Sequence, residues 1–151
     1  LGADLDAGAR QRFAALGGEP ADLPQVMAEA DIVIATTGVP GLIKPAMVRP
    51  GQVILALSNP DPEIEPQAAL AAGAAFAADG KSINNVLGFP GLFKGALEAG
   101  ARRFTDEMLV AAAETIADLA SDHDLVPDPL NLAVHDAVTA AVAKAARDSG
   151  A

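Results

Sequence analysis

Several residue types that often carry chemistry are absent from this chain. It has no cysteine, which excludes a disulfide framework, a thiolate zinc site and a cysteine nucleophile, and which fits a reducing, cytoplasmic compartment. Tyrosine and tryptophan are also absent, so a reaction that needs a phenol must take it from another chain segment. The 10 basic and 20 acidic residues give a net charge of −10, which argues against nucleic acid or an anionic membrane as a partner. No apolar run reaches the roughly 18 residues that a membrane span requires.

The start of the sequence indicates a part of a longer polypeptide. The chain begins with Leu1 instead of methionine, and residues 1–9 lack the basic start and the apolar centre of a signal peptide. Its 151 residues fit one domain. We therefore expect residues 1–151 to form a single domain of a protein whose other parts lie upstream.

Apolar segments and helix signals alternate along the chain. Strands are predicted at Ile32–Ala35, Val53–Leu57 and Ala74–Ala78, and helices within residues 1–16 and at Leu23–Ala30, Pro66–Ala72, Leu92–Ala99, Asp106–Ala120 and Leu130–Ala146. The first two strands are continuous apolar runs, which is typical of strands buried on both faces. The alternation predicts an α/β fold with a parallel sheet covered on both faces.

Polar loops follow the predicted strands. Thr36-Thr37-Gly38 ends the first strand, Ser58 opens the loop after the second, and residues 79–85 follow the third. Because ligands of parallel sheets bind outside the carboxyl ends of the strands, these loops form the predicted site. Hydroxyl groups and a glycine suit the ribose or phosphates of a nucleotide, so the four named residues are predicted to bind a cofactor. A plain strand-to-helix turn, which uses the same residue types, is the alternative.

Three asparagines belong to the same loops. Asn59 follows the second strand, and Asn84 and Asn85 precede an apolar segment. A neutral amide both donates and accepts hydrogen bonds, so it can hold a substrate carboxylate or a nicotinamide amide without titrating. Asparagine is also common in turns. Because three amides converge on one edge of the sheet, we predict that they bind substrate or cofactor.

Other motifs are excluded by their spacing. Residues 80–82, with the sequence GKS, are similar to the end of a phosphate-binding loop, but Ala75 replaces the glycine that this motif requires five residues earlier. The G-x-G-x-x-G dinucleotide fingerprint is absent, which fits a chain that starts after the first strand–turn–helix unit. His123 and His135 lack acidic partners at metal-ligand spacing, so no metal site is predicted in this chain.

Three acidic residues alternate after the second strand. Asp61, Glu63 and Glu65 stand beside Pro62 and Pro66. Such a pattern is typical of a solvated loop, and capping of the following helix is the alternative.

Two long segments resemble the bacterial malic enzymes. Residues 84–97, N-N-V-L-G-F-P-G-L-F-K-G-A-L, are similar to the family segment N-N-V-L-G-F-P-G-[IL]-F-[RK]-G-A-L. Residues 56–64, A-L-S-N-P-D-P-E-I, are similar to its A-[LN]-[SA]-N-P-x-P-E-I segment. Residues 108–117 and the final helix are similar to the family's carboxyl terminus, whereas the loop at residues 80–84 is shorter than the common family version.

The resemblance implies an enzyme that oxidises L-malate with NAD or NADP and decarboxylates the product to pyruvate and carbon dioxide. The family's catalytic tyrosine and lysine, and the ligands of its Mg or Mn ion, lie upstream of these segments. The resemblance therefore implies no catalytic or metal-binding residue in this chain, which is expected to be inactive by itself. It also implies the later half of a Rossmann-like, doubly wound NAD(P)-binding domain with carboxyl-terminal helices. By the same resemblance, Asn59 and Asn84 are expected to contact the substrate or the nicotinamide, and Asn85 is expected to assist.

Two other functions stay open on the sequence. Malolactic chemistry, in which malate gives lactate without net release of reduced cofactor, is a rival within the same family. A dinucleotide-binding module without catalysis of its own is a rival from another class. The sequence does not separate NAD from NADP, because the residue that distinguishes them follows an earlier strand of such folds. The resemblance also implies a homodimer.

Overall fold

A computed structural model describes residues 1–83, 85–121 and 126–151. The chain divides into two compact units, Leu1–Ile83 and Asn84–Ala151. Asn84, His123 and part of the predicted linker at residues 121–129 lie outside the described residues. In the part that is described, no helix is long and apolar enough to cross a membrane.

The first unit contains a three-stranded parallel sheet. Its strands are β1 (Ile32–Ala35), β2 (Val53–Ala56) and β3 (Phe76–Asp79), and they lie in the order β1-β2-β3. The accompanying helices are α1 (Ala7–Ala15), α2 (Leu23–Glu29) and α3 (Pro66–Ala71), with a 3-10 turn at Pro45–Met47. The prediction of a parallel α/β sheet of Rossmann type is therefore confirmed.

The apolar core of the first unit lies on one face of β1. Val33 and Ala35 are buried there with Met27 from α2 and Ile54 from β2. On the other face, the side chains of Ile32 and Ile34 are 63% and 65% exposed. The prediction that this strand is buried on both faces is wrong for β1, because in the described residues only one of its faces has a packing partner.

Helix α2 begins and ends on side-chain hydrogen bonds. The Asp22 carboxylate accepts a bond from the Gln25 N–H at 2.8 Å, which makes Asp22 the N-cap of this helix. At the other end, Gln52 is buried and its amide nitrogen donates to the carbonyl oxygens of Met27 at 3.0 Å and Ala30 at 2.7 Å. These two bonds satisfy carbonyl groups that the helix end leaves unpaired, and they tie α2 to the start of β2.

The second unit consists of three helices: α4 (Phe89–Ala99), α5 (Asp106–Asp118) and α6 (Leu132–Ser149), preceded by a 3-10 turn at Asn85–Leu87. Helix α6 contacts both α4 and α5. Its buried face contributes Val134, Val138 and Val142, which pack with Met108 of α5. Glycine lets α4 approach α6 closely, since a Cβ at Gly95 of α4 would lie 2.5 Å from the carbonyl oxygen of Thr139 in α6.

Several element boundaries differ from the predicted ones. Helix α4 begins at Phe89 instead of Leu92, because Pro90 is tolerated in a first helical turn. Helix α6 begins after Asn131 and continues to Ser149. Strand β3 lies later than predicted, since a run of alanines carries no hydrophobic period.

Candidate functional site

The carboxyl ends of the three strands lie side by side in the first unit. Ala35, Ala56 and Asp79 are paired in register at the last positions of β1, β2 and β3. The loops that start at residues 36, 57 and 80 therefore leave the sheet at one edge. This is the edge where ligands of parallel sheets bind.

Glu63 joins the loops after β1 and β2. Its side chain is fully buried, at 0% exposure, although Asp61 and Glu65 are exposed. Oε1 accepts hydrogen bonds from the Thr37 N–H at 2.6 Å, from Thr37 Oγ1 at 2.8 Å and from Ser58 Oγ at 2.6 Å. Oε2 accepts one from the Ser58 N–H at 3.4 Å. The prediction of a solvated loop is wrong at Glu63, because these four donors replace the hydrogen bonds that a carboxylate otherwise takes from water.

The same network occupies the main-chain N–H groups of the loop after β1. The Thr37 N–H donates to Glu63, the Gly38 N–H donates to Ser58 Oγ at 2.8 Å, and the Val39 N–H donates to Thr37 Oγ1 at 3.2 Å. A phosphate site is built from N–H groups that are free to donate. Because these three have acceptors within the protein, the loop suits a ribose better than phosphates.

The carboxylate of Glu63 is ionised at neutral pH. Burial acts to raise its pKa, but the hydrogen bonds from Ser58 and Thr37 outweigh burial and lower the pKa of Glu63 from 4.5 to about 2. At neutral pH the sheet edge therefore carries a negative charge beneath its surface. That charge repels a phosphate or carboxylate brought directly against the loop after β1.

Asn59 follows Ser58 but lies outside this network. Its peptide bond to Pro60 is cis, its side chain is exposed, and it has no hydrogen-bond partner among the residues that the structure describes. A Cβ at Gly80, the first residue after β3, would lie 2.7 Å from Asn59 Nδ2 and 2.5 Å from the Leu57 carbonyl oxygen. The absent side chain at Gly80 therefore leaves the room in which the Asn59 amide sits, and the amide is available to a ligand.

The loop after β3 is closed by its own carboxylate. Asp79 Oδ1 accepts hydrogen bonds from the Lys81 N–H at 3.1 Å, the Ser82 N–H at 2.8 Å and Ser82 Oγ at 2.7 Å. The bond from the Ser82 hydroxyl is the main cause that lowers the pKa of Asp79. These contacts use the N–H groups that a phosphate-binding loop would present, which agrees with the glycine missing at Ala75.

The network uses some of the predicted site residues and leaves others free. Thr37, Gly38 and Ser58 bond to one another or to the buried carboxylate. Thr36, like Asn59, has an exposed side chain with no hydrogen-bond partner in the described part of the chain. The sheet edge thus combines a fixed scaffold with two free polar side chains.

Two predicted residues stand at the start of the second unit. Asn84 lies outside the described residues, and of Asn85 only the main chain is described, at the beginning of the 3-10 turn. Their contacts with substrate or cofactor stay predictions.

The burial of Glu63 is not predicted from the sequence, although one signal was present. The hydroxyl groups of Thr37 and Ser58 at the strand ends needed acceptors. Apolar neighbours do not identify the acceptor, because Glu65 also lies between apolar residues, Ile64 and Pro66, and is exposed.

Other parts of the chain offer weaker sites. Residues 1–83, 85–121 and 126–151 contain no group of three or more His, Cys, Asp or Glu side chains placed to hold a metal ion. A surface depression in the second unit, lined by residues 103–107 and Ser149, is largely open to solvent and contains none of the predicted site residues. The sheet edge is therefore the stronger candidate.

Comparisons with known proteins agree on one family. The family model described as "Malic enzyme, NAD binding domain" matches residues 74–147. The chain is 60% identical to NAD-dependent malic enzyme 1 of Bacillus subtilis, over 96% of this chain and 33% of that protein. It is 40% identical to a bifunctional malic/malolactic enzyme of the same species, over 85% of this chain and 34% of that protein. The crystal structure of an NAD-dependent malic enzyme from Thermotoga maritima superimposes with a TM-score of 0.79 at 32% identity, covering 93% of this chain and 40% of that one.

The fold and these similarities together assign the chain to a family. The parallel sheet, with its polar carboxyl edge and following helices, is part of a Rossmann-like α/β domain. The chain belongs to the malic enzyme family. It spans about a third of the length of the curated relatives named above.

Proposed function

We propose that this chain supplies part of the cofactor and substrate cleft of a malic enzyme. In the proposed reaction, L-malate is oxidised and decarboxylated to pyruvate and carbon dioxide, and NAD or NADP is reduced. The observation that carries the proposal is the 60% identity with an NAD-dependent malic enzyme over 96% of this chain. The free polar side chains at the sheet edge support it independently.

The proposed role of the sheet edge is to bind and orient. The amide of Asn59 donates from its nitrogen and accepts at its oxygen, which suits the carboxamide of a nicotinamide or a substrate carboxylate. The hydroxyl of Thr36 suits a ribose hydroxyl. Thr37, Gly38 and Ser58 form the loop surface against which a ribose of the dinucleotide lies. Their hydrogen bonds to one another favour a fixed shape, which lowers the cost of ordering the site on binding.

Asn84 and Asn85 complete the proposed contacts. We assign Asn84 to the substrate or nicotinamide and Asn85 to an assisting role, on the strength of the segment that they begin. That segment lies within the 74–147 match to the family model.

Proton transfer and metal binding are assigned to parts of the protein outside this chain. The sequence has no tyrosine, and the side chains described for it form no metal-binding cluster. When bound, the dinucleotide supplies the hydride acceptor. The contribution of this chain's own residues is then placement: they hold the reactants in the geometry from which hydride transfer proceeds.

A product assay tests the proposal. The full protein is given L-malate, Mg²⁺ or Mn²⁺, and either NAD or NADP. We expect pyruvate, carbon dioxide and reduced dinucleotide in equal amounts. If the folded protein oxidises no malate when it is given either NAD or NADP, the proposal is contradicted.

Malolactic chemistry is the second candidate, favoured by one observation. The chain is 40% identical to a relative named as a bifunctional malic/malolactic enzyme. In the same assay, lactate formed without net accumulation of reduced dinucleotide would favour this candidate. Pyruvate with stoichiometric NADH would favour the leading one.

Three finer features belong to the same proposal. The name of the 60% identical relative supports NAD as the preferred cofactor, and the ratio of kcat/KM for NAD and NADP measures the preference. The lack of cysteine supports a cytoplasmic location. The family resemblance supports a homodimer, which sedimentation of the full protein tests.

A further inference from the structure

Glu63 is a buried ionised group to which the proposed reaction gives no role. We propose that it is a positioning residue for the dinucleotide: its carboxylate ties the loop after β1 to the loop after β2 and so fixes Thr36 and Asn59 relative to each other. The inference rests on the proposed dinucleotide function of this sheet edge. It adds a residue that touches neither substrate nor cofactor.

The tie between the two loops involves both side chain and main chain. The carboxylate takes two donors from Thr37 and two from Ser58, at 2.6–3.4 Å. Beside it, the Gly41 N–H donates to the Pro62 carbonyl oxygen at 3.1 Å, and the Ile43 N–H donates to the Glu63 carbonyl oxygen at 2.9 Å. The segment at residues 62–63 therefore holds the loop after β1 along much of its length.

The two free side chains are next to the anchored residues. Thr36 precedes Thr37, and Asn59 follows Ser58. Because the peptide unit is planar and stiff, a fixed main chain at the anchored residue also fixes the place of the neighbouring Cα atom. Thr36 and Asn59 thus take their relative positions from a carboxylate that has no hydrogen bond to either of them.

The four donors around the Glu63 side chain require a carboxylate. All four groups directed at it are donors, and an ionised carboxyl group presents acceptors only. A glutamine at this position keeps one acceptor oxygen, but its amide nitrogen is itself a donor. Whichever way that amide is oriented, an N–H group faces another donor, and the charge that strengthens the remaining bonds is lost.

The test uses Glu63→Gln in the full protein, with Glu65→Gln as the matched control. Glu65 is exposed, and its carboxylate makes no capping hydrogen bond. We expect Glu63→Gln to raise the KM for the dinucleotide by about tenfold. The Kd for NADH, measured by NADH fluorescence, should rise by the same factor. A tenfold rise corresponds to the loss of one charge-assisted hydrogen bond. The kcat at saturating dinucleotide should change less than threefold, on the order of 0.6 kcal/mol. The control should leave all three values unchanged.

A second variant keeps the test decisive if Glu63→Gln does not fold. Glu63→Asp retains the charge but shortens the side chain by one methylene, so an intermediate rise in KM and Kd is expected. Either variant with a lowered melting temperature and wild-type KM and Kd would show a purely structural role and overturn the inference. A fall in kcat alone would overturn it too.

The binding measurement also separates this inference from the proposed function. If the wild-type protein binds NADH but does not oxidise malate, the proposed function fails, and the effect of Glu63 on Kd can still be measured. If the wild-type protein turns over malate and Glu63→Gln leaves dinucleotide binding unchanged, only the inference about Glu63 fails.

Discussion

Within each of the two units of this chain, the parts are held together by a different physical means. In the second unit, α4 lies close to α6 because Gly91 and Gly95 have no side chains, and the contact is made by apolar groups such as Val138. In the first unit, the loops at the sheet edge are joined by hydrogen bonds to one buried carboxylate, Glu63. We call the hydrogen bonds to Glu63 the polar joint, and they lie where the proposed ligand binds. We call the close contact between α4 and α6 the helical joint, and it lies among the carboxyl-terminal helices.

This difference has an energetic consequence. Close packing is insensitive to pH and intolerant of added volume. The network around Glu63 instead depends on the charge of one carboxylate, and so it is sensitive to pH.

The largest expected effect comes from filling the gap between α4 and α6. In Gly95→Val the new Cβ would lie 2.5 Å from the Thr139 carbonyl oxygen and 3.0 Å from the Ala143 nitrogen, both of them main-chain atoms that cannot rotate away. We expect a loss of about 3 kcal/mol in the free energy of unfolding, measured by urea denaturation of the full protein.

Gly88→Ala is the matched control for this substitution. A Cβ at Gly88 meets nothing within 4 Å, and its φ of −89° is one that alanine adopts readily. It should cost less than about 1 kcal/mol. Equal losses for the two variants would mean that volume at the α4–α6 contact does not limit stability.

The second prediction concerns the pH dependence of the polar joint. The pKa of Glu63 is lowered in the folded chain from 4.5 to about 2. Its contribution to stability is therefore fully present above pH 4.5 and is lost as the pH falls toward 2. By linkage this amounts to about 3 kcal/mol at neutral pH.

The measurement is the difference in unfolding free energy between wild type and Glu63→Gln at a series of pH values. We expect the difference to be largest at pH 7 and to shrink through pH 4 and pH 3, where the wild-type carboxyl group takes up a proton and comes to resemble the amide. A difference that does not vary with pH would show that the charge of Glu63 contributes nothing to the joint.

The third prediction tests a free side chain that the polar joint positions. Asn59→Ala in the full protein removes an amide that has no partner in the described part of the chain, so the fold should keep its stability. Loss of a hydrogen bond to a charged group costs roughly 1.5–3 kcal/mol, which corresponds to about a 10- to 150-fold fall in kcat/KM for malate. Asn84→Ala is expected to act in the same way. Wild-type kcat/KM in both variants would identify these asparagines as turn residues.

The sequence predicted the elements whose signals are local. The apolar runs at β1 and β2 and the polar loops at the strand ends needed only neighbouring residues. The exposed face of β1 and the burial of Glu63 were missed, because both depend on what lies opposite in space. Ile32 and Ile34 have the composition of a strand covered on both sides, and nothing local distinguishes Glu63 from the exposed Glu65.

The smallest expected effect comes from Asn131→Ala, which also serves as a control for Asn59→Ala. Asn131 is the N-cap of α6, and its side-chain oxygen accepts a hydrogen bond from the Ala133 N–H at 3.0 Å. It is therefore not a silent position: loss of this cap should cost about 1 kcal/mol of stability, seen as a small shift in the urea midpoint. The kcat/KM for malate should stay at the wild-type value, because the residue belongs to the helical joint and makes none of the proposed ligand contacts. The two substitutions are thus expected to have different effects: Asn59→Ala lowers turnover, and Asn131→Ala lowers stability. A loss of turnover in Asn131→Ala at temperatures where the variant is fully folded would contradict that separation.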